Sequence, residues 1–312
     1  MRRGADLTER AEWIAVDWGT SNLRIWGMGP EDRPVFAAES DRGMGKLKRE
    51  EFAPALLDLV TPKIGDGSEP RPVVICGMAG AKQGWVEAPY VDTPADLATL
   101  VIRGVEVSAD FLRGRILPGV AQRTAGAEDV MRGEETQLLG LLRLRPGFEG
   151  LAILPGTHSK WVEITAGRIV RFQSAMTGEL YEVLSTYSVL RHSFVGETTG
   201  PETEAGVAAG MDAGIAEPEL VTSLIFRTRA AALLSGKGAD WCSGFLSGLL
   251  VGAEVAGHRS WIAGGTVPLI GSARLCRLYG AALKRLGIAS EAIDATDATL
   301  AGLVAARNMA RA

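Results

Sequence analysis

Two short runs carry residue types that could do chemistry together. Asp17, Trp18, Gly19, Thr20, Ser21 and Asn22 follow the apolar stretch Trp13 to Val16, and Pro155, Gly156, Thr157, His158, Ser159 and Lys160 follow Leu151 to Leu154. In each run a glycine lets the backbone turn and come close to an anion. Hydroxyls and backbone N–H groups around such a turn donate to phosphate oxygens. Asp17 ends a buried strand, where a carboxylate is costly unless it is paired or holds a cation, and Mg²⁺ with its waters is a natural partner. Lys160 adds a cation suited to a triphosphate tail. The structural alternative is an Asx-type turn that satisfies Asp17 locally, with His158 a turn residue and Lys160 a solvated charge. Two such runs, matched in type and facing each other, point to Mg·ATP held between two loops. Neither GxxxxGK[ST] nor a GxGxxG after a strand is present, so the Walker and dinucleotide architectures are excluded.

Three further groups are candidates. Asp129, Glu134 and Glu135 cluster before and at the start of an expected helix; acids there complement the helix dipole, or one of them serves as the general base. Phosphoryl transfer to an alcohol needs such a carboxylate to accept the hydroxyl proton. The loop from Gly77 to Tyr90 joins small residues with Met78, Lys82, Gln83, Trp85, Glu87 and Tyr90, a mixture that grips a polar, hydroxylated anion. Arg24 and Lys46 are further candidates for a ligand carboxylate. Trp261 to Ala263 reads as a strand running into Gly264 and Gly265, where a flat base could lie against backbone.

These residues need strands and turns to hold them. Both hairpin runs predict a short apolar strand, a Gly-Thr turn, an alternating strand, a second turn and a third strand, the last ones at Pro34 to Ala38 and Arg168 to Phe172. The Gly-Thr pairs at 19–20 and 156–157 lie 137 residues apart, and a unit repeated at that distance predicts two similarly built domains. Val73 to Cys76 reads as a buried strand, and Glu134 to Leu144 as a helix stopped by Pro146 and Gly147. Helices are expected over Glu179 to Leu190, Val221 to Leu234, Phe245 to Ala256 and Leu275 to Leu286, and over Leu300 to Arg307 with Thr296 as its cap. The domain boundary is placed at the Pro-Gly stop, giving 1–147 and 148–312. Strands alternating with helices predict an α/β fold with largely parallel sheets.

Composition narrows the class. With 312 residues, 46% of them hydrophobic, the chain can bury two ordinary cores. A net charge of −4 makes nucleic acid or an anionic membrane a poor expectation as partner. Cys76, Cys242 and Cys276 are scattered and odd in number, which argues against a disulfide framework or a zinc site. The start, Met1 to Glu12, lacks a signal-type apolar run. A protein of a reducing compartment, the cytoplasm, is expected.

Taken together, IAVDWGTSNLR, CGMAGAKQGWVEAPY, DVMRGEETQLLG, LPGTHSKWV with MTGEL, and AGGTVPL resemble the 2-dehydro-3-deoxygalactonokinase family of the actin, hexokinase and Hsp70 superfamily, from about residue 13 to residue 268. The resemblance implies two ribonuclease-H-like (actin/hexokinase-type) domains around an ATP cleft, the last helix packing back on the first domain. It implies transfer of the ATP γ-phosphoryl group to the 6-hydroxyl of 2-dehydro-3-deoxy-D-galactonate in galactonate catabolism. By motif, Asp17, Gly19, Thr20 and Ser21 would form the first phosphate loop, with Asp17 holding the metal. Gly156, Thr157, His158, Ser159 and Lys160 would form the second, and Gly264 and Gly265 would sit at the adenosine. The loop with Met78, Gln83, Trp85, Glu87 and Tyr90, joined by Arg24, would line the sugar-acid pocket; Ala81-Lys82 departs from the family's Ser-Arg pair there. A similarity of RGEETQ to the exopolyphosphatase branch ranks Glu134 above Asp129 as base. A phosphohydrolase of that branch, a kinase for the gluconate epimer and a nucleotide-binding actin-like protein are the alternatives. An exposed apolar helix is expected to permit a homodimer.

Overall fold

The computed structural model describes residues 11–64 and 69–311. The reading of Met1 to Glu12 therefore lies, for residues 1–10, outside the described residues. In chain order the elements are β1 (Trp13–Trp18), β2 (Leu23–Met28), β3 (Pro34–Ser40), α1 (Phe52–Ile64), β4 (Arg71–Gly77), β5 (Val91–Asp92), β6 (Ala95–Asp96), β7 (Val105–Ala109), β8 (Leu112–Ile116), β9 (Val120–Gln122), β10 (Asp129–Met131) and α2 (Glu134–Leu144). There follow β11 (Gly150–Leu154), β12 (Ser159–Thr165), β13 (Arg168–Ala175), α3 (Thr177–Thr186), α4 (Thr203–Ala216), α5 (Val221–Ile225), α6 (Arg227–Leu234), α7 (Ala239–Gly257), β14 (Val267–Gly271), α8 (Ala273–Arg285), β15 (Ser290–Asp294) and α9 (Ala295–Arg311). The chain forms two compact units. Unit 1 is Met1–Glu149 with Thr165–Arg171 and Thr296–Ala312; unit 2 is Gly150–Ile164 with Phe172–Ala295.

Unit 1 is built on a six-stranded sheet ordered β3-β2-β1-β4-β8-β7. Its first three strands are antiparallel, β1, β4 and β8 run parallel, and β7 closes antiparallel on β8. Ile14, Val16 and Trp18 on one face of β1 meet Phe52 and Leu56 of α1 in one core. The expected third strand, helix Glu134 to Leu144 and strand Val73 to Cys76 are present. A small sheet β10-β9-β5, with β5 and β9 parallel, was not anticipated, because its strands are only two or three residues long. α9 packs on α2 at backbone distance: a Cβ on Gly140 would fall 1.9 Å from the Ala298 carbonyl, and one on Gly302 1.9 Å from that of Thr136.

Unit 2 repeats the plan. Its strands run β15-β14-β11-β12-β13, the same order as β8-β4-β1-β2-β3, again with an antiparallel hairpin and parallel neighbours. This duplicated order gives the two similarly built α/β units expected from the repeat, in the actin/hexokinase-type arrangement that the resemblance implies, although the sheets are mixed rather than largely parallel. The first residues of β13, which count with unit 1, pair with β6. Ile153, Trp161, Val255, Leu269 and Tyr279 form the unit 2 core. α4 and α7 meet along glycines at every fourth position: Gly206, Gly210 and Gly214 against Gly244, Gly248 and Gly252.

Three expectations are corrected. Trp261 to Ala263 is not a strand: Arg259–Trp261 is a 3₁₀ turn. Gly264 and Gly265, with φ of 122° and 81°, break extended pairing, and the buried strand is the next apolar run, β14. Thr296 is not a cap but lies inside α9, whose first residue is Ala295. The helices expected over 179–190 and 221–234 are each divided, the first by Ser188, whose Oγ accepts from the Leu190 N–H and caps a new 3₁₀ turn, the second at Phe226.

Candidate active site

In unit 1 the site grows from the β1–β2 turn. The Gly19 N–H donates to the Asn22 carbonyl to close it. The carbonyls of Gly19, Thr20 and Ser21 then accept from Met44, Gly45 and Gly43 N–H groups at 2.9–3.2 Å. With its carbonyls tied back, the turn leaves the Thr20 and Ser21 side chains exposed. Gly43 is required by contact, since a Cβ there would fall 2.2 Å from the Ser21 carbonyl carbon. Sequence reasoning missed this brace; its signal was the Gly-Met-Gly run at 43–45, of which only neighbouring Lys46 drew notice. Lys46 is taken by Asp41 at 2.8 Å, and this exposed pair holds the Asp41 carboxyl below its usual range.

Asp17 stands opposite Arg24 in the β1–β2 ladder and opposite Cys76 in the β1–β4 ladder. That register makes the contacts: the Arg24 guanidinium meets Asp17 at 2.5 Å and reaches Thr296 of α9 at 3.4 Å. The Cys76 thiol lies 3.8 Å from the other Asp17 oxygen. Burial, then the charges of Asp17 and Glu135, push this thiol well above its ordinary pKa, so it is an inert neutral group. Beyond Cys76, Gly77 (φ 87°) turns the chain beneath the Trp18 carbonyl, and Gly133 (φ 108°) comes in behind it. The end of β1, the end of β4 and the start of α2 thus converge.

The first turn of α2 carries two carboxylates bound to the chain just before them. Glu134 accepts from the Arg132 N–H at 3.0 Å and is partly exposed. Glu135 is fully buried, accepts from the Gly133 N–H at 2.7 Å and from the Thr136 hydroxyl at 3.2 Å. Burial first, and the charge of Glu134 second, raise the Glu135 carboxyl to about 8. Asp129 sits away from this turn, on β10 opposite Gln122, and accepts from the Val130 N–H.

The Gly77–Tyr90 loop folds on itself through Trp85 N–H to Ala79 carbonyl and Ala88 N–H to Gly80 carbonyl bonds of 2.8 and 3.0 Å. Trp85 packs edge-on against Trp18, with centroids 6.2 Å apart. Met78 is half-buried, while Gln83, Glu87 and Tyr90 are exposed.

In unit 2 the matching turn is braced in the matching way. The Glu179 N–H donates to the Thr157 carbonyl, and Gly178 lies so close that a Cβ would fall 2.5 Å from the Gly156 carbonyl oxygen. Gly156 and Thr157 form one wall of a pocket of about 220 Å³, with Tyr181, Leu250, Arg274, Leu278 and Tyr279 among its other lining residues. His158 pairs with the Glu179 carboxylate. Ser159 and Lys160 point into protein, 0% and 4% exposed. The Ser159 hydroxyl meets Tyr279 Oη at 2.6 Å, and Tyr279 donates its one proton to Glu254 at 2.5 Å. Burial and the Glu254 charge push the Tyr279 phenol up, so it stays protonated and Ser159 must be the donor to it. Trp161 Nε1 completes the set on Glu254 at 2.7 Å. Ser159 therefore has its proton committed inside the fold. Lys160 Nζ donates to the His158 carbonyl at 3.3 Å. Gly264 and Gly265 lie in an exposed loop before β14 and outside the residues lining this pocket, where α8 supplies Arg274 and Leu278 instead.

Among the described residues no cluster of three or more His, Cys, Asp or Glu could cage a metal ion, and no helix is long and apolar enough to cross a membrane. All three cysteines are buried free thiols.

Comparison with known proteins meets this geometry from outside. The family model described as 2-keto-3-deoxy-galactonokinase matches residues 17–306. The probable 2-dehydro-3-deoxygalactonokinase of Rhizobium meliloti (strain 1021) is 39% identical over 96% of this chain and 98% of its own. The 2-dehydro-3-deoxygalactonokinase of Escherichia coli (strain K12) is 34% identical over 94% of this chain and 96% of its own. A crystal structure assigned to the same kinase from Sinorhizobium meliloti superposes with a TM-score of 0.88 at 38% identity, covering 95% of this chain and 98% of that one. The match runs through both hairpins, the start of α2 and α9, and the chain belongs to the 2-keto-3-deoxy-galactonokinase family.

Proposed function

We propose that the protein transfers the γ-phosphoryl group of ATP to the 6-hydroxyl of 2-dehydro-3-deoxy-D-galactonate in the cytoplasm. The observation that carries this reading is the convergence in unit 1 of Asp17, the Gly77 turn and the start of α2 with Glu134, in a chain of that family. The hairpin turn of each unit is the phosphate-binding element. In unit 1 the Thr20 and Ser21 hydroxyls and the turn N–H groups donate to phosphate oxygens; in unit 2 the Gly156–Thr157 turn does so, with the pocket beside it taking the nucleoside.

Magnesium fits the donor set. Asp17 offers one partly exposed carboxylate at a strand end, and the absence of a protein cage among the described residues suits a cation that keeps its waters and shares phosphate oxygens. Asp17 would hold it through water, and when bound it neutralises charge on the phosphates. Glu134, partly exposed and fixed by the Arg132 N–H, accepts the proton of the attacking hydroxyl. Its neighbour Glu135, held neutral near pH 7, adds no second negative charge beside it. The Gly77–Tyr90 loop receives the sugar acid through Gln83, Glu87 and Tyr90, while Trp85 anchors it to Trp18. Arg24 supports Asp17 rather than standing free for a ligand carboxylate. A second copy would dock on the exposed apolar side chains of α3, Leu180 and Val183, with Met176 and Tyr187 at its ends.

The test is ADP release by purified protein with Mg·ATP, alone and with the galactonate-derived or gluconate-derived keto acid. Release that depends on the galactonate-derived acid is expected. Equal release without acceptor means a phosphohydrolase, and preference for the other acid overturns the epimer.

A further inference from the structure

Arg132 is the residue between β10 and Gly133, and its guanidinium does not follow the usual pattern of a buried cation. Nη2 donates to the Ala88 carbonyl at 2.8 Å, and the plane lies over the Tyr90 ring, 4.4 Å from its centroid. Nε and Nη1 are buried without a hydrogen-bond partner. Nη1 is packed where Gly80 leaves room, since a Cβ on Gly80 would fall 2.7 Å from it. Gly80, Ala88 and Tyr90 all belong to the Gly77–Tyr90 loop, whereas the Arg132 backbone N–H belongs to Glu134. One side chain therefore ties the loop to the turn that carries the carboxylate.

We propose that Arg132 is a positioning residue that latches the sugar-acid loop onto the start of α2; its kinetic part rests on the kinase reading above. The latch is balanced. One hydrogen bond and a cation–π contact make it, added to the Trp85–Trp18 packing and the Arg49 bond to the Lys82 carbonyl that also hold the loop. Two buried donors without partners oppose it, because an opened loop would return them to water. When closed, the latch sets one spacing between the loop's side chains and Glu134. This accounts for an arginine with no carboxylate on its guanidinium among the described residues, and room for its Nη1 is one reason, beside Ile116 Cγ2, that position 80 is glycine.

The experiment is amide hydrogen exchange of the substrate-free protein combined with steady-state kinetics, on the wild type, Arg132→Met and Gly80→Ala. Gly80→Ala keeps the arginine and crowds its Nη1. Because the new Cβ would also fall 2.9 Å from Ile116 Cγ2 and 3.1 Å from the Ala88 Cβ, exchange elsewhere in unit 1 is read beside the loop to separate loss of the latch from overpacking. Loss of a single latching bond should speed exchange at the Trp85 and Ala88 amides about tenfold, with the β1–β2 hairpin unchanged. In both variants KM for the sugar acid should rise by about the same factor while KM for ATP stays within about twofold. Unchanged loop exchange overturns the latch, as does exchange that rises equally through unit 1 or a KM change shared by both substrates. Exchange is read without turnover, so a wild type inactive as a kinase would overturn the functional reading while the exchange result still decides the latch.

Discussion

Glu134 and Glu135 are adjacent, of one type and in one helical turn, yet the fold gives them opposite surroundings. Glu134 keeps access to solvent, whereas Glu135 is sealed inside and titrates near 8. The sign of the stability effect follows. Below about pH 4.5 the Glu135 carboxyl is protonated in both folded and unfolded chains and contributes nothing. Between 4.5 and about 8 the unfolded chain releases the proton that the folded one keeps, so stability falls as pH rises, and above 8 the loss is complete. The slope from this one group is at most about 1.4 kcal/mol per pH unit. Glu135→Gln should remove it: urea midpoints of the variant measured at pH 5.5, 6.5 and 7.5 should decline less than those of the wild type. Parallel profiles would show that Glu135 is ionised in the folded protein.

Elements here come close because glycine permits it. α4 and α7 present Gly206, Gly210 and Gly214 to Gly244, Gly248 and Gly252, and α2 and α9 do the same with Gly140 and Gly302. A Cβ on Gly248 would fall 2.2 Å from the Val207 carbonyl oxygen, a backbone atom that cannot swing aside. Gly248→Ala should therefore cost about 1–3 kcal/mol by overpacking, despite the helix propensity gained. Thermal unfolding followed by circular dichroism would measure it, and a variant as stable as the wild type would mean that the two helices separate easily. The same reasoning explains the two site turns: each is held by a second segment carrying a glycine, Gly43 in unit 1 and Gly178 in unit 2.

For the whole molecule, duplication of one strand order gives two braced hairpin turns, and the units then differ in what surrounds them. Unit 1 adds carboxylates and the irregular Gly77–Tyr90 loop, and unit 2 adds a pocket of about 220 Å³. A nucleotide that binds only the folded chain must stabilise it by mass action, about 2.7 kcal/mol at a hundred times Kd. Mg·ATP should raise the unfolding midpoint more than ATP with chelator, and Asp17→Asn should remove most of that magnesium-dependent increment. An increment unaffected by the substitution would take Asp17 out of the metal's coordination.

Much of the fold and part of the site could be read directly from the chain. Apolar runs of strand length ending in Gly-Thr turns are local signals, so Trp13–Trp18, Gly150–Leu154 and their hairpins could be seen as a repeated unit, and the end of Glu134–Leu144 could be read from Pro146 and Gly147. The apolar triplet Trp261 to Ala263 misled because strand and turn residues look alike without their partners; only pairing with β11 and β15 selects Val267–Gly271. What tertiary structure alone decided are contacts between segments distant in sequence: Gly43 behind Ser21, Gly178 behind Gly156, Cys76 against Asp17, Arg132 over Tyr90, and the burial of Glu135 but not Glu134. Residue type and spacing determine which groups could do chemistry. Burial and cross-strand register, which set protonation and free donors, exist only once the sheets have formed.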